Sequence, residues 1–359
     1  MFNDFRNVNT PSRKLDHIEI CLKRKVESSY SGFEDVMLIH KAIPEIDFDE
    51  IDTSVEFLGK RLSAPFLIAS ITGGHERAIE INKNLALAVE ELGLGMGVGS
   101  QRAGMEGGNL ESFTIVREFA PKAFVYANIG LPQVIKDVEI AEKAVEMIDA
   151  DALAIHLNYL QEAIQPEGDR FSKGAYEAIE EVCRSLKVPV LVKETGAGIS
   201  REIALKLKAV GVSAIDVGGR GGTSFSAVES YRCEGYKAEI GRDFWDWGIP
   251  TAYSIVECYD ILPVIATGGI RNGIDLAKAL ALGAVVGSSA LPFLKRALES
   301  SERVKELLEY YINGLKVAMF LTGCKSCEEL RNVEIFISGK FREWLEVRGY
   351  DVPKICLKR

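Results

Sequence analysis

Eight short apolar segments that alternate with amphipathic helical patterns constrain the fold of this 359-residue chain more than any other feature. The segments that predict strands are 65–70, 95–100, 123–128, 152–158, 188–194, 213–219, 263–269 and 284–289. Apolar residues at three- and four-residue spacing predict helices at 78–93, 138–149, 175–187, 200–211 and 272–283. Eight strands in this alternation over roughly 230 residues predict an α/β fold, a (β/α)8 TIM barrel. A doubly wound sheet is the alternative.

The same pattern predicts how the chain is divided. We expect a single barrel domain at 61–333, an N-terminal arm and lead-in segment at 1–60, and a C-terminal helical extension at 334–359. The extension carries no recognisable motif, and we expect it to pack on the barrel or on a neighbouring subunit.

Composition and charge limit the kinds of molecule that the protein is expected to bind. A net charge of −9 disfavours a general surface for nucleic acid or anionic membrane, so we expect a small-molecule ligand. The N-terminus lacks the apolar core of a secretory signal, and the longest apolar stretch, 276–294, is broken by Lys278 and Pro292. We therefore expect a soluble, cytoplasmic protein. Cys324 and Cys327 have CxxC spacing, but no second pair lies nearby, so we interpret them as buried thiols.

Polar or glycine-rich residues follow all eight predicted strands. They are Thr72, Ser100, Asn128, His156 with Asn158, Lys193 with Glu194, GGRGGTS at 218–224, TGGIR at 267–271 and GSS at 287–289. Functional residues of TIM barrels gather at the C-terminal ends of the strands, so the sequence predicts one active site built from all eight loops.

The stretch HLNYLQE at 156–162 is the densest of these polar groups. Strand alternation directs His156 and Asn158 into the barrel mouth. If a helix follows, Gln161 and Glu162 lie on the same side as Asn158, at spacings of three and four residues. The four side chains are then expected to face one pocket. The alternative is a solvated helix N-terminus with a carboxylate in its first turn.

Two glycine-rich loops predict a phosphate site and a flat ligand. At 266–280 a strand, a glycine turn and a helix follow one another, and such a helix N-terminus can bind an anion together with the loop at 287–290. The glycines at 218–224 allow a ligand to approach the backbone closely, with Thr223 or Ser224 as donor. The run GLGMGVGS at 93–100 does not fit GxGxxG, which argues against a dinucleotide fingerprint.

Lys193 ends the fifth strand inside the predicted pocket. Two functions are open, a Schiff-base lysine or a cation beside the electron-rich edge of a flavin. A surface lysine without function is the third possibility.

Several motifs together carry a family resemblance. They are RKLDHI (13–18), ITGGHE (71–76), GSQR (99–102), ANIG (127–130), HLNYLQE (156–162), VKETG (192–196), GGTS (221–224), DWGIPT (246–251) and TGGIRNGIDLAKALALGA (267–284). In this order they resemble the type 2, FMN-dependent isopentenyl-diphosphate isomerase family, over a region from Arg13 to about Leu294. TGGIR is shared with other FMN barrels, whereas the basic start combined with HLN and QE is specific.

The resemblance implies a substrate site, a metal ligand and a flavin site. The implied substrate contacts are Arg13, Lys14, His17, Ser100, Gln101, Arg102, His156, Asn158 and Gln161, with Gln161, His156 and Lys193 as catalytic residues. Glu162 is implied to hold a Mg²⁺ that bridges the diphosphate. The implied FMN contacts are Ser70, Ile71, Thr72, Gly73, Ser100, Asn128, Lys193, Gly218, Thr223, Gly268, Gly269, Ile270, Arg271, Ser289 and Ala290.

The resemblance also implies the reaction. Members interconvert isopentenyl and dimethylallyl diphosphate with reduced FMN, normally reduced by NADPH, as an acid and base rather than as a redox reagent. A homo-oligomer, tetramer or octamer, is implied as well. The flavin would explain why HLNYLQE contains no conventional nucleophile.

The sequence departs from the family pattern at two positions of the 218–224 loop. Gly218 stands where the family usually has a serine, and Arg220 stands where a small residue is usual. One hydrogen bond to FMN is then expected to be missing, and Arg220 either adds charge near the ring or points outwards.

Two other classes of function remain open. An FMN-dependent oxidase or dehydrogenase would use the same phosphate loop, but needs a His or Cys base and an arginine pair for a carboxylate substrate. A non-catalytic flavin-binding protein would keep the glycine loops without a use for Arg13, Lys14, His156, Gln161 and Glu162. These residues favour the isomerase.

Overall fold

A closed barrel of eight parallel strands forms the centre of the molecule. The computed structural model describes residues 10–358, with side chains from Lys14 onward. The barrel strands are β4 (Phe66–Ile68), β5 (Gly95–Gly97), β6 (Phe124–Gly130), β7 (Ala152–Leu157), β8 (Val190–Glu194), β9 (Ala214–Asp216), β10 (Val264–Thr267) and β11 (Val286–Ser289). They follow one another around the barrel in chain order, and β11 pairs with β4 to close it. The predicted TIM barrel is confirmed, and the doubly wound alternative is excluded.

Four further strands form two small antiparallel sheets outside the barrel. They are β1 (Val36–Leu38), β2 (Val55–Phe57), β3 (Lys60–Leu62) and β12 (Ile335–Ile337). β2 pairs with β3, and Phe57 packs with Phe124 among the residues that fill the barrel interior. β1 pairs with β12, so the segment after 334 is tied to the segment that precedes the barrel.

Eighteen α-helices lie within the described residues. Those before β8 are α1 (Thr10–Lys23), α2 (Arg77–Leu92), α3 (Arg102–Met105), α4 (Glu111–Phe119), α5 (Leu131–Lys136), α6 (Ile140–Ile148), α7 (Tyr159–Ile164) and α8 (Ala175–Ser185). The rest are α9 (Arg201–Ala209), α10 (Phe225–Arg232), α11 (Tyr236–Asp243), α12 (Thr251–Cys258), α13 (Gly273–Ala281), α14 (Leu291–Ala297), α15 (Ser301–Thr322), α16 (Cys327–Arg331), α17 (Gly339–Val347) and α18 (Val352–Leu357).

The core follows the alternation of the strands. In β7, Ala152 and Ala154 belong to the barrel interior, whereas Leu153 and Ile155 pack in the layer between strands and helices. This is the arrangement that alternation predicts for a strand whose two faces are both buried. It places His156 at the C-terminal end of the strand on the interior side. The helices at residues 10–358 include none with the length and apolar character needed to cross a membrane.

Candidate functional site

One cavity opens at the C-terminal ends of the barrel strands and brings most of the predicted site residues together. Those that line it are Lys14, His17, Ser70, Ile71, Thr72, Ser100, Arg102, Asn128, His156, Asn158, Gln161, Glu162, Lys193, Gly218, Thr223, Gly268, Gly269, Arg271, Ser289 and Ala290. They come from all eight strand ends and from α1. The cavity therefore has the composition that the strand-end residues predict.

Three predicted site residues within residues 14–358 are not among the lining residues, and a fourth, Arg13, precedes that range. The side chain of Arg13 lies outside the described residues, although its backbone belongs to α1. Gln101 is fully buried, where its amide donates to the Ala144 carbonyl and its oxygen accepts from the Asn128 N–H. Gly73 lies beneath the ring of Phe113, and Ile270 is buried in the core. Gln101 thus contacts the lining residue Asn128 rather than the cavity.

Lys14 and Arg102 supply positive charge at one end of the cavity. The Lys14 ammonium donates to the Ser100 carbonyl at 2.7 Å, and α1 brings it there. Arg102 begins α3 and donates to Glu106 at 2.8 Å and to Asp169 at 2.9 Å. The two carboxylates fix the direction of the guanidinium, which is suited to bind an anion with charge-assisted hydrogen bonds.

Glu162 presents a carboxylate to the cavity from the first turn of α7. One oxygen accepts from the Asn158 amide at 2.9 Å, and the other accepts from the Gln165 amide and the Asp169 N–H at 2.6 Å each. The side chain is 6% exposed. No group of three or more acidic, histidine or cysteine side chains suited to a metal was found within residues 10–358. A cation at Glu162 would need oxygen ligands from a substrate and from water, which is how Mg²⁺ is commonly bound beside phosphates.

A buried carboxylate, Glu229, connects α1, α7 and α10. One oxygen accepts from the Gln161 amide at 2.9 Å and contacts His17 Nε2 at 2.9 Å, and the other accepts from Arg232 at 2.6 Å. Burial raises the pKa of the Glu229 carboxyl, but the hydrogen bond and charge of His17, the charge of Arg232 and the Gln161 hydrogen bond outweigh it and leave the pKa below its usual value. Glu229 therefore holds the amide of Gln161 and the ring of His17 in fixed positions.

His156 and Asn128 form a second polar pair at the cavity wall. His156 Nδ1 lies 2.9 Å from Asn128 Oδ1, and the Asn128 amide donates to the Val98 carbonyl at 3.1 Å. The Gln101 contact adds a third restraint. Three neighbouring strands, β5 to β7, thus determine the orientation of the imidazole.

The loop after β10 brings two glycines with positive φ angles to the cavity. Gly268 and Gly269 have φ angles of +113° and +83°, in the region that side chains rarely adopt. A Cβ on Gly268 would lie 2.2 Å from the Gly219 carbonyl oxygen. Arg271, at the edge of this loop, donates to Glu27 at 2.9 Å and to Ser289 at 3.3 Å.

Two buried hydroxyls beside this loop fit a polar ligand. Ser70 Oγ and Thr267 Oγ1 are both buried and have no hydrogen-bond partner among the described residues. Both residues line the cavity. Since buried polar atoms are normally hydrogen-bonded, donors or acceptors on a bound cofactor such as FMN would satisfy them.

The two positions that depart from the family pattern have structural reasons. Gly218 has a φ of +43°, and a Cβ there would lie 1.9 Å from the Glu194 carbonyl oxygen, so a serine would not fit this backbone. Arg220 is not among the lining residues; it donates to the Asp246 carbonyl at 3.0 Å and lies over the Tyr30 ring. It points outwards, which was one of the two expected arrangements.

The sequences of similar proteins show to which family the chain belongs. The chain is 64% identical to isopentenyl-diphosphate delta-isomerase of Archaeoglobus fulgidus over 345 residues, which is 95% of this chain and 100% of the relative. It is 54% identical to the protein of that name from Methanosarcina mazei, with 98% of each chain covered.

The chain belongs to the isopentenyl-diphosphate delta-isomerase family.

The resemblance identified in the sequence is thereby confirmed. A family model described as FMN-dependent dehydrogenase also matches residues 158–336. Among solved structures, a flavocytochrome b2 variant with sulfite bound has a TM-score of 0.66 at 18% identity, covering 98% of this chain and 91% of that chain. A mandelate oxidase variant has a TM-score of 0.63 at 18% identity, covering 92% and 95%. At such low identity these structures support the fold alone.

Two buried carboxylates of this site were missed in the sequence. Glu229 does not follow a strand; it lies in α10, on a helix face whose other residues are small or apolar. A single charged residue on such a face was the available signal. Asp216 is the last residue of β9 and reads as part of an apolar strand, yet its side chain is fully buried beside Lys193. A charged residue inside an apolar strand was the available signal.

The apolar wall of the cavity was also missed. Ile18 and Cys21 of α1, Phe225 of α10 and Leu291 of α14 line it, and of these only Ile18 belongs to a quoted motif, RKLDHI. Cys324 and Cys327 lie elsewhere as free, buried thiols, and the CxxC pair takes no part in the site.

Proposed function

We propose that this protein converts isopentenyl diphosphate into dimethylallyl diphosphate, a 1,3-allylic proton shift, with reduced FMN and Mg²⁺. The observation that carries the proposal is one cavity that joins a cationic end with a carboxylate, an apolar wall and a glycine-lined anion loop. The relatives that cover nearly the whole chain bear the name of this enzyme, which supports it further.

The cationic end is proposed to bind the diphosphate. Lys14 and Arg102 provide the positive charge, and we expect Arg13 from the same arm to add to it. Glu162 is proposed to hold Mg²⁺, since its carboxylate is fixed by Asn158, Gln165 and the Asp169 N–H. A metal bound through one carboxylate and the diphosphate would make substrate and Mg²⁺ binding depend on each other.

The glycine loop is proposed to bind the FMN phosphate. Gly268, Gly269, Arg271 and Ser289 line the same cavity, and the unpaired hydroxyls of Ser70 and Thr267 are proposed to bind the cofactor. Reduced FMN, when bound, supplies the acid and base that add a proton to the terminal alkene carbon and remove one from the allylic carbon. Lys193 lies where its charge can favour the reduced, anionic form.

The chain's own residues are proposed to orient the alkene and exclude water. Ile18, Phe225 and Leu291 form an apolar wall for the five-carbon tail. The Gln161 amide, held by Glu229, is proposed to lie beside the alkene, and His156, held by Asn128, beside the diphosphate. Neither side chain needs to act as a nucleophile in this reaction.

Anaerobic turnover tests the proposal directly. The purified protein is incubated with isopentenyl diphosphate, Mg²⁺ and FMN, with and without chemical reduction, and dimethylallyl diphosphate is quantified. We expect product only when the flavin is reduced and Mg²⁺ is present. Flavin binding without product in either sample would contradict the proposal and favour the oxidoreductase alternative.

Three further expectations remain predictions. NADPH should reduce the bound flavin under anaerobic conditions, which the bleaching of its visible absorption measures. We also expect a homo-oligomer, tetramer or octamer, which light scattering tests, and a cytoplasmic location.

A further inference from the structure

A buried ion pair joins two neighbouring strands at the base of the cavity. Lys193 of β8 and Asp216 of β9 are register partners, and Lys193 Nζ lies 3.2 Å from Asp216 Oδ2. The two side chains are 8% and 0% exposed. An isolated charge at such a position would be strongly unfavourable, so each residue makes the charge of the other tolerable.

Asp216 has few other contacts that could balance its charge. Its second oxygen accepts from the Gly218 N–H at 3.1 Å. Among the described side chains, Lys193 is the one cation that forms an ion pair with it. The carboxylate is therefore matched to this single ammonium.

Lys193 presents its ammonium to the cavity, which it lines. The ammonium donates to the Glu194 carbonyl at 3.0 Å and forms an ion pair with Asp216, whose Oδ2 accepts no hydrogen bond within the described residues. The carbonyl and the carboxylate together restrain the ammonium. Because an ammonium carries three N–H donors, donors remain that can reach a ligand.

We infer that Asp216 is a positioning residue that keeps the Lys193 ammonium directed into the cavity, and thereby strengthens the binding of reduced FMN relative to oxidised FMN. The inference rests on the flavin of the proposed function. Positive charge near the pyrimidine edge of a flavin stabilises the anionic reduced ring. Asp216 acts through Lys193 and does not itself need to touch the cofactor.

Loss of Asp216 should weaken the binding of reduced FMN. Without Asp216, the buried ammonium would have only a carbonyl oxygen as partner, which favours its withdrawal from the site. Withdrawal removes positive charge from the cavity and weakens the binding of the reduced form. Were Asp216 instead only a negative charge that opposes the flavin anion, its removal would strengthen that binding.

The test measures the midpoint potential of bound FMN by equilibration with a reference dye. For Asp216→Asn we expect the preference for reduced over oxidised FMN to fall at least tenfold, a shift of about 30 mV towards negative potential for a two-electron couple. Lys193→Met should shift it in the same direction. Asp151→Asn is the matched control, because Asp151 also forms ion pairs but precedes β7 at the opposite end of the barrel. Its potential should equal that of the wild type.

The double variant tests whether Asp216 acts through Lys193. Replacing both members leaves no unpaired buried charge, so this variant is expected to fold even if Asp216→Asn does not. Adding Asp216→Asn to Lys193→Met should leave the potential unchanged. A further shift in the double variant, or an unchanged or more positive potential in Asp216→Asn, would overturn the inference.

This outcome is independent of turnover. A wild-type protein that binds FMN but forms no dimethylallyl diphosphate would contradict the proposed function. The midpoint potential of the Asp216→Asn variant would still test the inference about Asp216. A wild-type protein that binds no FMN would overturn both.

Discussion

Buried carboxylates at the barrel mouth each have a defined set of donors. Glu162 accepts from two amides and a backbone N–H, Glu229 from Gln161 and Arg232, and Asp216 from the Gly218 N–H beside Lys193. Buried charge is stable only when it is matched in this way. Changing one such residue should therefore alter a specific property of the site.

Replacing Glu162 tests its assignment to the metal. Glu162→Gln removes the negative charge and exchanges one acceptor for a donor, so we expect kcat/KM for isopentenyl diphosphate to fall at least about 100-fold. The dissociation constant of FMN, measured by fluorescence quenching, should stay within about twofold, since the glycine loop is untouched. Glu177→Gln, on the exposed face of α8, is the control. Normal Mg²⁺-dependent turnover in Glu162→Gln would refute the assignment.

His75 should make the stability of the protein depend on pH. Burial, followed by the charges of Lys14 and Arg77, lowers the pKa of His75 to about 4 from 6.5. The folded state binds this proton more weakly than the unfolded state, so the contribution is complete above about pH 6.5 and is lost as the pH falls towards 4.

His75→Gln should therefore flatten this part of the stability profile, by about 2 kcal/mol in the free energy of unfolding between pH 7 and pH 4. Urea unfolding at several pH values measures it. His40→Gln, at an exposed position, is the control. An equally steep acid limb in both variants would show that His75 is not the group responsible.

At the scale of elements, loops position charged side chains that do not lie on strands. The loop that follows α7 turns back so that the Asp169 N–H caps Glu162 while the Asp169 carboxylate accepts from Arg102 at 2.9 Å and from Lys136 at 2.8 Å. Asp169 thus links Glu162, the proposed metal ligand, to Arg102, the proposed diphosphate contact.

Gly168 makes this turn possible. A Cβ at this position would lie 1.8 Å from the Glu162 carbonyl oxygen, so Gly168→Ala must displace the loop. We expect the Mg²⁺ concentration for half-maximal turnover to rise at least tenfold, with a loss of about 1–3 kcal/mol in unfolding free energy. Lys173→Ala, at an exposed position in the same segment, should change neither. A wild-type Mg²⁺ titration curve for Gly168→Ala would contradict the role of the loop.

At the scale of the whole molecule, the segment that precedes the barrel and the segment that follows it pack together. β1 pairs with β12, and α17 packs on α12, where Phe341 stacks on Tyr253 at 4.3 Å between ring centroids. The fully buried Glu257 accepts from Trp344 at 3.0 Å and from Arg348 at 2.8 Å. The C-terminal extension is therefore part of the folded unit.

Removing Arg348 should destabilise this contact without affecting the site. Arg348→Met leaves the Glu257 carboxylate with fewer partners, and we expect a loss of about 2 kcal/mol, less than for a wholly buried pair because Arg348 is 32% exposed. Arg342→Met breaks only an exposed pair and should leave the stability close to that of the wild type. Thermal unfolding measures both. Equal stability of the two variants would contradict the account of this contact.

The barrel fold could be predicted from the sequence because each strand is marked by a local pattern of residues. The apolar runs and the helices between them are short-range patterns, so all eight strands and the strand-end residues could be predicted from them. β1 and β12 could not, because three residues carry no periodicity and their pairing spans about 300 residues of chain. Asp216 and Glu229 were missed because only the folded structure shows that the charge has a buried partner.

The position of deuterium in the product shows whether the protein protonates the alkene of isopentenyl diphosphate with a solvent-derived proton. The protein is incubated anaerobically in D2O with reduced FMN, Mg²⁺ and isopentenyl diphosphate, and dimethylallyl diphosphate is examined by NMR spectroscopy and mass spectrometry. We expect one deuterium in the methyl group formed from the terminal alkene carbon, and no product with oxidised FMN. Product without solvent deuterium, or equal turnover with oxidised FMN, would contradict the claim that this cavity protonates the alkene with reduced flavin.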